Sequence, residues 1–122
     1  MKIEELEKIL LDKQASTKEF PFGDDVAVYK VMNKMFALVG FKDSFININL
    51  KCVPDDALGY RDIYECVTAG YHMNKKHWNT VVINGEMSDE ILVEMINDSY
   101  DLIIQKLTKS EKMSYQSMCS FK

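Results

Sequence analysis

Apolar side chains at Ile3, Leu6, Ile9 and Leu10 recur at helical spacing, with Glu4, Glu5 and Lys8 on the opposite side. This predicts a helix from about Lys2 to Lys13. Ser16-Thr17 and then Phe20-Pro21-Phe22-Gly23-Asp24-Asp25 break the pattern, because proline and glycine both interrupt helices. The period then shortens. Val26 to Val31 and Met35 to Val39 read as strands joined by Met32-Asn33-Lys34, where Asn33 tolerates the left-handed backbone of a tight hairpin. Ile46, Ile48, Leu50 and Cys52 alternate with Asn47, Asn49 and Lys51, the mark of a half-buried strand. Val53-Pro54-Asp55-Asp56 suits a helix start, and the helix is predicted to run to about Val67, ending before Ala69-Gly70.

Trp78 to Ile83 is rich in β-formers and stops at the turn dipeptide Asn84-Gly85. Ser88 caps a further helix whose buried stripe is Leu92, Met95, Ile96, Ser99, Ile103 and Leu107. From Thr108 onward periodicity is lost, which predicts a frayed or short-helical tail. The predicted order is α-β-β-β-α-β-α, an α+β two-layer fold with an antiparallel sheet and helices packed against it. One domain over residues 1–107 is expected, with residues 108–122 as a C-terminal tail.

Composition fits one soluble globular domain: 122 residues, 47% hydrophobic and 28% charged. No apolar run reaches the ~18 residues of a membrane-spanning helix, and the acid-bearing N-terminus does not resemble a signal peptide. Cys52, Cys66 and Cys119 lie far apart and read as free thiols in a reducing, cytoplasmic setting. The net charge is −4, and Arg61 is the single arginine among fifteen basic residues. Both features count against a dedicated nucleic-acid binder. The acidity is concentrated in residues 88–107, however, and no acid lies between Tyr71 and Gly85. A local basic surface is compatible with a negative total.

The sequence contains no GxSxG, phosphate-binding glycine loop, HExxH or EF-hand loop, so an enzyme is the less favoured reading. His72 and His77 are five residues apart with no carboxylate nearby to complete a metal triad, and no metal or other cofactor is expected. Asp24-Asp25 fits a turn and Asp55-Asp56 a helix start. Glu4, Glu5, Glu7 and Asp12 read as a solvated helix face.

The unusual stretch is Tyr71-His72-Met73-Asn74-Lys75-Lys76-His77-Trp78-Asn79-Thr80. Ammonium groups for phosphate, amides for hydrogen bonds and rings for stacking are the mixture a nucleic-acid surface uses. On a plainer reading Trp78 anchors the core and the lysines solubilise a loop. Lys30, Lys34 and Lys51 would extend a basic surface if their strands face that way.

The run His72, Asn74, Lys75, His77, Trp78 before a strand, then Gly85 and a helix carrying Ser99-Tyr100, resembles the MmcQ/YjbR family. The segments FPFGDDVAVYKVMNKMFALV and FININLKC extend the resemblance from the first helix to about Leu107. One departure is Asn33-Lys34, where the family typically carries glycine-lysine. The resemblance implies a fold similar to the bacterial frataxin homologue CyaY, also described as double-wing, and a DNA-binding label that rests largely on that similarity.

The first expectation is a non-enzymatic DNA-binding or regulatory module. Lys75 and Lys76 would contact phosphate, helped by Lys30, Lys34 and Lys51, with His72, Asn74, His77 and Trp78 completing the surface; binding would be weak and salt-sensitive. The alternative is a module for another protein or a small anionic ligand, and a frataxin-like metal binder using the acidic first helix ranks below both. A monomer with no membrane partner is expected.

Overall fold

The computed structural model describes residues 1–41, 44–70 and 73–119. Its elements run α1 (Ile3–Leu11), β1 (Ser16–Glu19), β2 (Val26–Val31), β3 (Lys34–Gly40), β4 (Asn47–Lys51), α2 (Pro54–Ile63), β5 (Val67–Ala69), β6 (Trp78–Val82), α3 (Asp89–Gln105) and α4 (Lys109–Cys119). Six strands form one antiparallel sheet in the order β1-β2-β3-β4-β6-β5. The α+β class stands, with two strands and one helix more than the sequence pattern predicted.

The β2–β3 hairpin turns on Met32 and Asn33, both with positive φ (49° and 64°), and pairs Val31 with Lys34. A bulge between Tyr29 and Lys30 leaves Phe36 surplus to the alternation. Its ring thereby joins Ala37 and Val39 in the helix-side core, meeting the edge of Tyr100 at 5.2 Å.

Helices cover one face of the sheet. Leu6 and Leu10 of α1 and Leu92, Met95, Ile96, Tyr100 and Ile103 of α3 bury Tyr29, Val31, Phe36, Val39, Ile48, Leu50 and Val81. By alternation, Val28, Leu38, Asn49, Thr80 and Trp78 occupy the other face. There Val28, Leu38 and Trp78 form a second, smaller apolar cluster.

Helix α2 stops four residues before the predicted Val67. At Tyr64 the chain turns extended, and the Glu86 carboxylate accepts the N–H groups of Glu65 (3.0 Å) and Cys66 (2.8 Å). That carboxylate holds the reversal into β5. The tail forms α4 through a reciprocal capping box: Thr108 N–H donates to Glu111 Oε1 (2.9 Å) and Glu111 N–H donates to Thr108 Oγ1 (3.1 Å). No residue of α4 is buried. Its Tyr115 hydroxyl nevertheless hydrogen-bonds the Tyr100 hydroxyl (2.8 Å), and Tyr100 donates to the carbonyl of Gln14 (2.6 Å).

Candidate functional site

The strand register brings most of the sequence-nominated residues to one end of the sheet. The β2–β3 turn, the end of β4 at Lys51 and the start of β6 at Trp78 all lie there, with the turn of residues 73–77 leading into β6. Lys30, Lys34, Lys51, Asn74, Lys75, Lys76, His77 and Trp78 therefore share that end. His72 and Tyr71 lie outside the described residues.

The turn of residues 73–77 is held by hydrogen bonds. The Asn74 carbonyl accepts the N–H groups of His77 (3.1 Å) and Trp78 (2.9 Å), and its side-chain oxygen accepts the Lys76 N–H (3.0 Å). Cys52 N–H donates to the carbonyl of His77 (2.8 Å), joining the turn to the end of β4. Arg61 reaches from α2: its Nε donates to the Asn79 side-chain oxygen (2.7 Å) and its Nη2 to the carbonyl of Lys75. Asn79, fully buried, passes the link back to α2 by donating to the carbonyl of Ala57 (3.2 Å). Gly70 completes the frame. A Cβ there would sit 2.8 Å from the Cβ of Trp78, so only glycine lets this segment pass so close.

The cations differ in what surrounds them. Lys30 is ion-paired with Glu19, and Lys34 lies 3.5 Å from Glu111 of α4. Lys75 and Lys76 are exposed and form no ion pair among the described residues. Burial lowers the Lys51 pKa, and the positive charge of Lys106 lowers it further. Lys106 escaped the sequence reading. The available signal was its position seven residues after Ser99, at the C-terminal end of α3.

The side chain of Trp78 is only 9% exposed and packs with Val28 and Leu38, with Met35 and Met73 alongside, so its ring faces are occupied. Acids flank the basic end. Asp56, Asp98 and Asp101 line a groove of about 240 Å³ with Cys52, Val53, Leu102 and Gln105. Burial, followed by Glu94, Asp101 and Asp56, raises the Asp98 pKa. The Cys52 thiol is pushed up to about 11, by burial first and then by Asp56 and Asp98. Burial and Glu86 raise Cys66. Both thiols are thus protonated and poorly nucleophilic near neutral pH.

Among the described residues no three His, Cys, Asp or Glu side chains are grouped to hold a metal ion. On the acidic first helix, Glu7 is engaged by Lys18 at 2.6 Å. No described helix is long and apolar enough to cross a membrane.

A family model described as YjbR matches residues 11–102. The uncharacterised protein YbdF of Escherichia coli O157:H7 is 39% identical over 93 residues, 76% of each chain. The uncharacterised protein YjbR of Escherichia coli strain K12 is 28% identical over 83 residues, 68% of this chain and 70% of that one. Among solved structures, the Deinococcus radiodurans protein DR2400, with the domain DUF419, superposes with a TM-score of 0.88. It is 31% identical, and the match covers 93% of this chain and 87% of that one. A protein from Pseudomonas syringae gives a TM-score of 0.73 at 26% identity, covering 84% of this chain and 98% of that one.

Proposed function

The chain belongs to the YjbR family, and from that premise we propose that it is a non-catalytic binding module whose basic sheet end contacts the phosphates of nucleic acid. The observation that carries this reading is the turn of residues 73–77. Among the described residues it presents Lys75 and Lys76 without ion pairs, while Asn74, Cys52 and Arg61 fix its backbone. A fixed turn loses little conformational freedom when its lysines meet a phosphate.

The same geometry limits the contact. With Trp78 covered, base stacking on its ring is not part of the interaction. Lysine ammoniums act as point charges and do not fork onto base edges as arginine does. Glu19 and Glu111 already engage Lys30 and Lys34. The module therefore binds phosphate without sequence preference, using Lys51, Lys75, Lys76 and Lys106.

Fluorescence anisotropy with labelled duplex and single-stranded DNA, at low and physiological salt, tests this. Neutralising roughly two to four phosphates gives a log–log salt slope of about −2 to −4. The Lys75→Glu/Lys76→Glu variant is expected to lose binding and keep its circular dichroism spectrum. A flat trace at low salt, or an unchanged variant, overturns the reading.

A further inference from the structure

Two cations at the basic sheet end are held by acids, and those acids are anchored differently. Glu19, the partner of Lys30, belongs to β1 and is fixed by strand pairing with β2. Glu111, the partner of Lys34, belongs to α4, of which no residue is buried. Eleven residues without an apolar stripe do not sustain a helix on their own, so α4 depends on its fastenings to the body. Its Glu111 carboxylate lies 3.5 Å from the Lys34 ammonium, and its Tyr115 hydroxyl hydrogen-bonds the Tyr100 hydroxyl at 2.8 Å. The Tyr115 ring also packs, half-buried, against the main core cluster.

The fastening at Lys34 is of a weak kind. The lysine side chain is 43% exposed and the glutamate 28%, and an ion pair so open to water contributes little. Lys34 opens β3 at the same end of the sheet as the turn that carries Lys75 and Lys76. A phosphate oxyanion arriving there competes with the Glu111 carboxylate for one ammonium. Glu19 cannot withdraw from Lys30 without breaking the sheet, whereas Glu111 can leave Lys34 with its helix.

We propose that α4 is a detachable strap that regulates the basic sheet end: docked, its Glu111 withholds Lys34 from phosphate, and released, it adds Lys34 to the contact surface. The strap rests on reading that end as a surface for nucleic-acid phosphates.

Glu111→Gln and Tyr115→Phe test it with α4 kept in the chain, because a truncation would also remove Lys109 and Lys112. Glutamine still accepts the Thr108 N–H in the capping box, so Glu111→Gln removes the charge opposite Lys34 and spares the helix start. Glu4→Gln is the charge-matched control, an exposed α1 acid without an ion pair among the described residues. In DNA anisotropy at low salt, Glu111→Gln should bind about two- to fivefold more tightly than Glu4→Gln. Its log–log salt slope on duplex should steepen by about 0.9, the mark of one further phosphate contact. In a Lys34→Met background the two acid variants should bind alike. Tyr115→Phe changes no charge; the amides of residues 112–119 should exchange faster while those of α3 keep wild-type protection, and DNA binding should tighten only where Lys34 is present.

Wild-type binding with Glu111→Gln no tighter than Glu4→Gln, or a gain that survives Lys34→Met, overturns the strap and leaves the phosphate reading standing. So do α4 amides that exchange in Tyr115→Phe as they do in the wild type. A flat wild-type trace with binding in Glu111→Gln supports the strap and overturns phosphate binding by the docked form. Flat traces for every protein overturn both.

Discussion

Ser99→Ala isolates the bond that builds the basic end. The side chain is fully buried and serves two backbone groups at once, the Phe36 carbonyl and the Lys51 N–H. The β3–β4 ladder ends at Ala37↔Leu50, so these groups belong to the next residue pair, where the hydroxyl takes the place of a direct strand bond. Alanine fills nearly the same volume, so no appreciable cavity forms; the loss is polar. Leaving one buried donor and one buried acceptor without this partner costs about 1–3 kcal/mol each. Partial relaxation of the strands toward each other brings the expected total to about 2–4 kcal/mol. That is a large share of the about 5–15 kcal/mol typical of a single domain. With a urea m-value of about 1.5 kcal/mol/M, the unfolding midpoint should fall by about 1.5–2.5 M with m unchanged. Hydrogen exchange supplies a local readout, because the Lys51 amide should lose its protection while the Ile48 and Val81 amides change only with global stability. A destabilisation below about 0.5 kcal/mol, or an unaltered Lys51 amide, would refute the bridge.

Arg61→Lys keeps the charge but cannot reproduce the fork that serves both Asn79 and Lys75. We expect a loss of about 1–2 kcal/mol in chemical denaturation and faster exchange of the Lys75 and Lys76 amides; wild-type exchange there would show that the arginine does not hold the turn. Asp98→Asn relieves repulsion from Glu94 and Asp101, one turn away on either side, and should stabilise the protein at neutral pH by about 0.5 kcal/mol. Burial, with the neighbouring acids, raises the folded-state pKa of Asp98 above the ordinary aspartate value, so its ionised form opposes folding. The variant's advantage must therefore shrink as pH falls through the raised pKa and be gone below the unfolded value. Thermal melts across that range check it, and a gap that widens toward acid pH contradicts the assignment.

Periodicity made α1, the β2–β3 hairpin, β4, β6 and α3 legible, because each carries enough apolar positions to declare its period. The two edge strands carried no such signal. β1 is Ser-Thr-Lys-Glu and β5 is Val-Thr-Ala, too short and too polar to alternate visibly. The end of α2 was hidden for another reason. No breaker stands at Tyr64, and the chain is turned by Glu86, more than twenty residues later, whose grip on Glu65 and Cys66 exists only after folding. α4 has no apolar stripe, although its capping pair Thr108 and Glu111 stands in the sequence at the right spacing. Composition exposed the lysines of the candidate site but not their partners. Glu19 lies near Lys30 through strand pairing, and Glu111 meets Lys34 across most of the chain.

The residues that carried the family resemblance divide by physical role once placed in the fold. Asn74 closes its turn, Trp78 fills the second apolar cluster, Ser99 bridges β3 and β4, and Tyr100 ties Gln14 to α4. Each of these spends its polar or aromatic group inside the protein. Lys75 and Lys76 do the opposite, directing their charge outward from a backbone that others hold. A turn needs this much support only if its position matters, because solvated lysines on a free loop would keep the protein just as soluble. The acids of α3 sharpen the point. With Asp56, Asp98 and Asp101 lining the groove at Cys52, just past the end of β4, a diffuse basic field is not available, and attraction must come from a few cations at fixed positions. Such a surface favours short-range contact with individual phosphates over long-range steering of a polyanion, which is why salt dependence and single-lysine substitutions are its most direct probes.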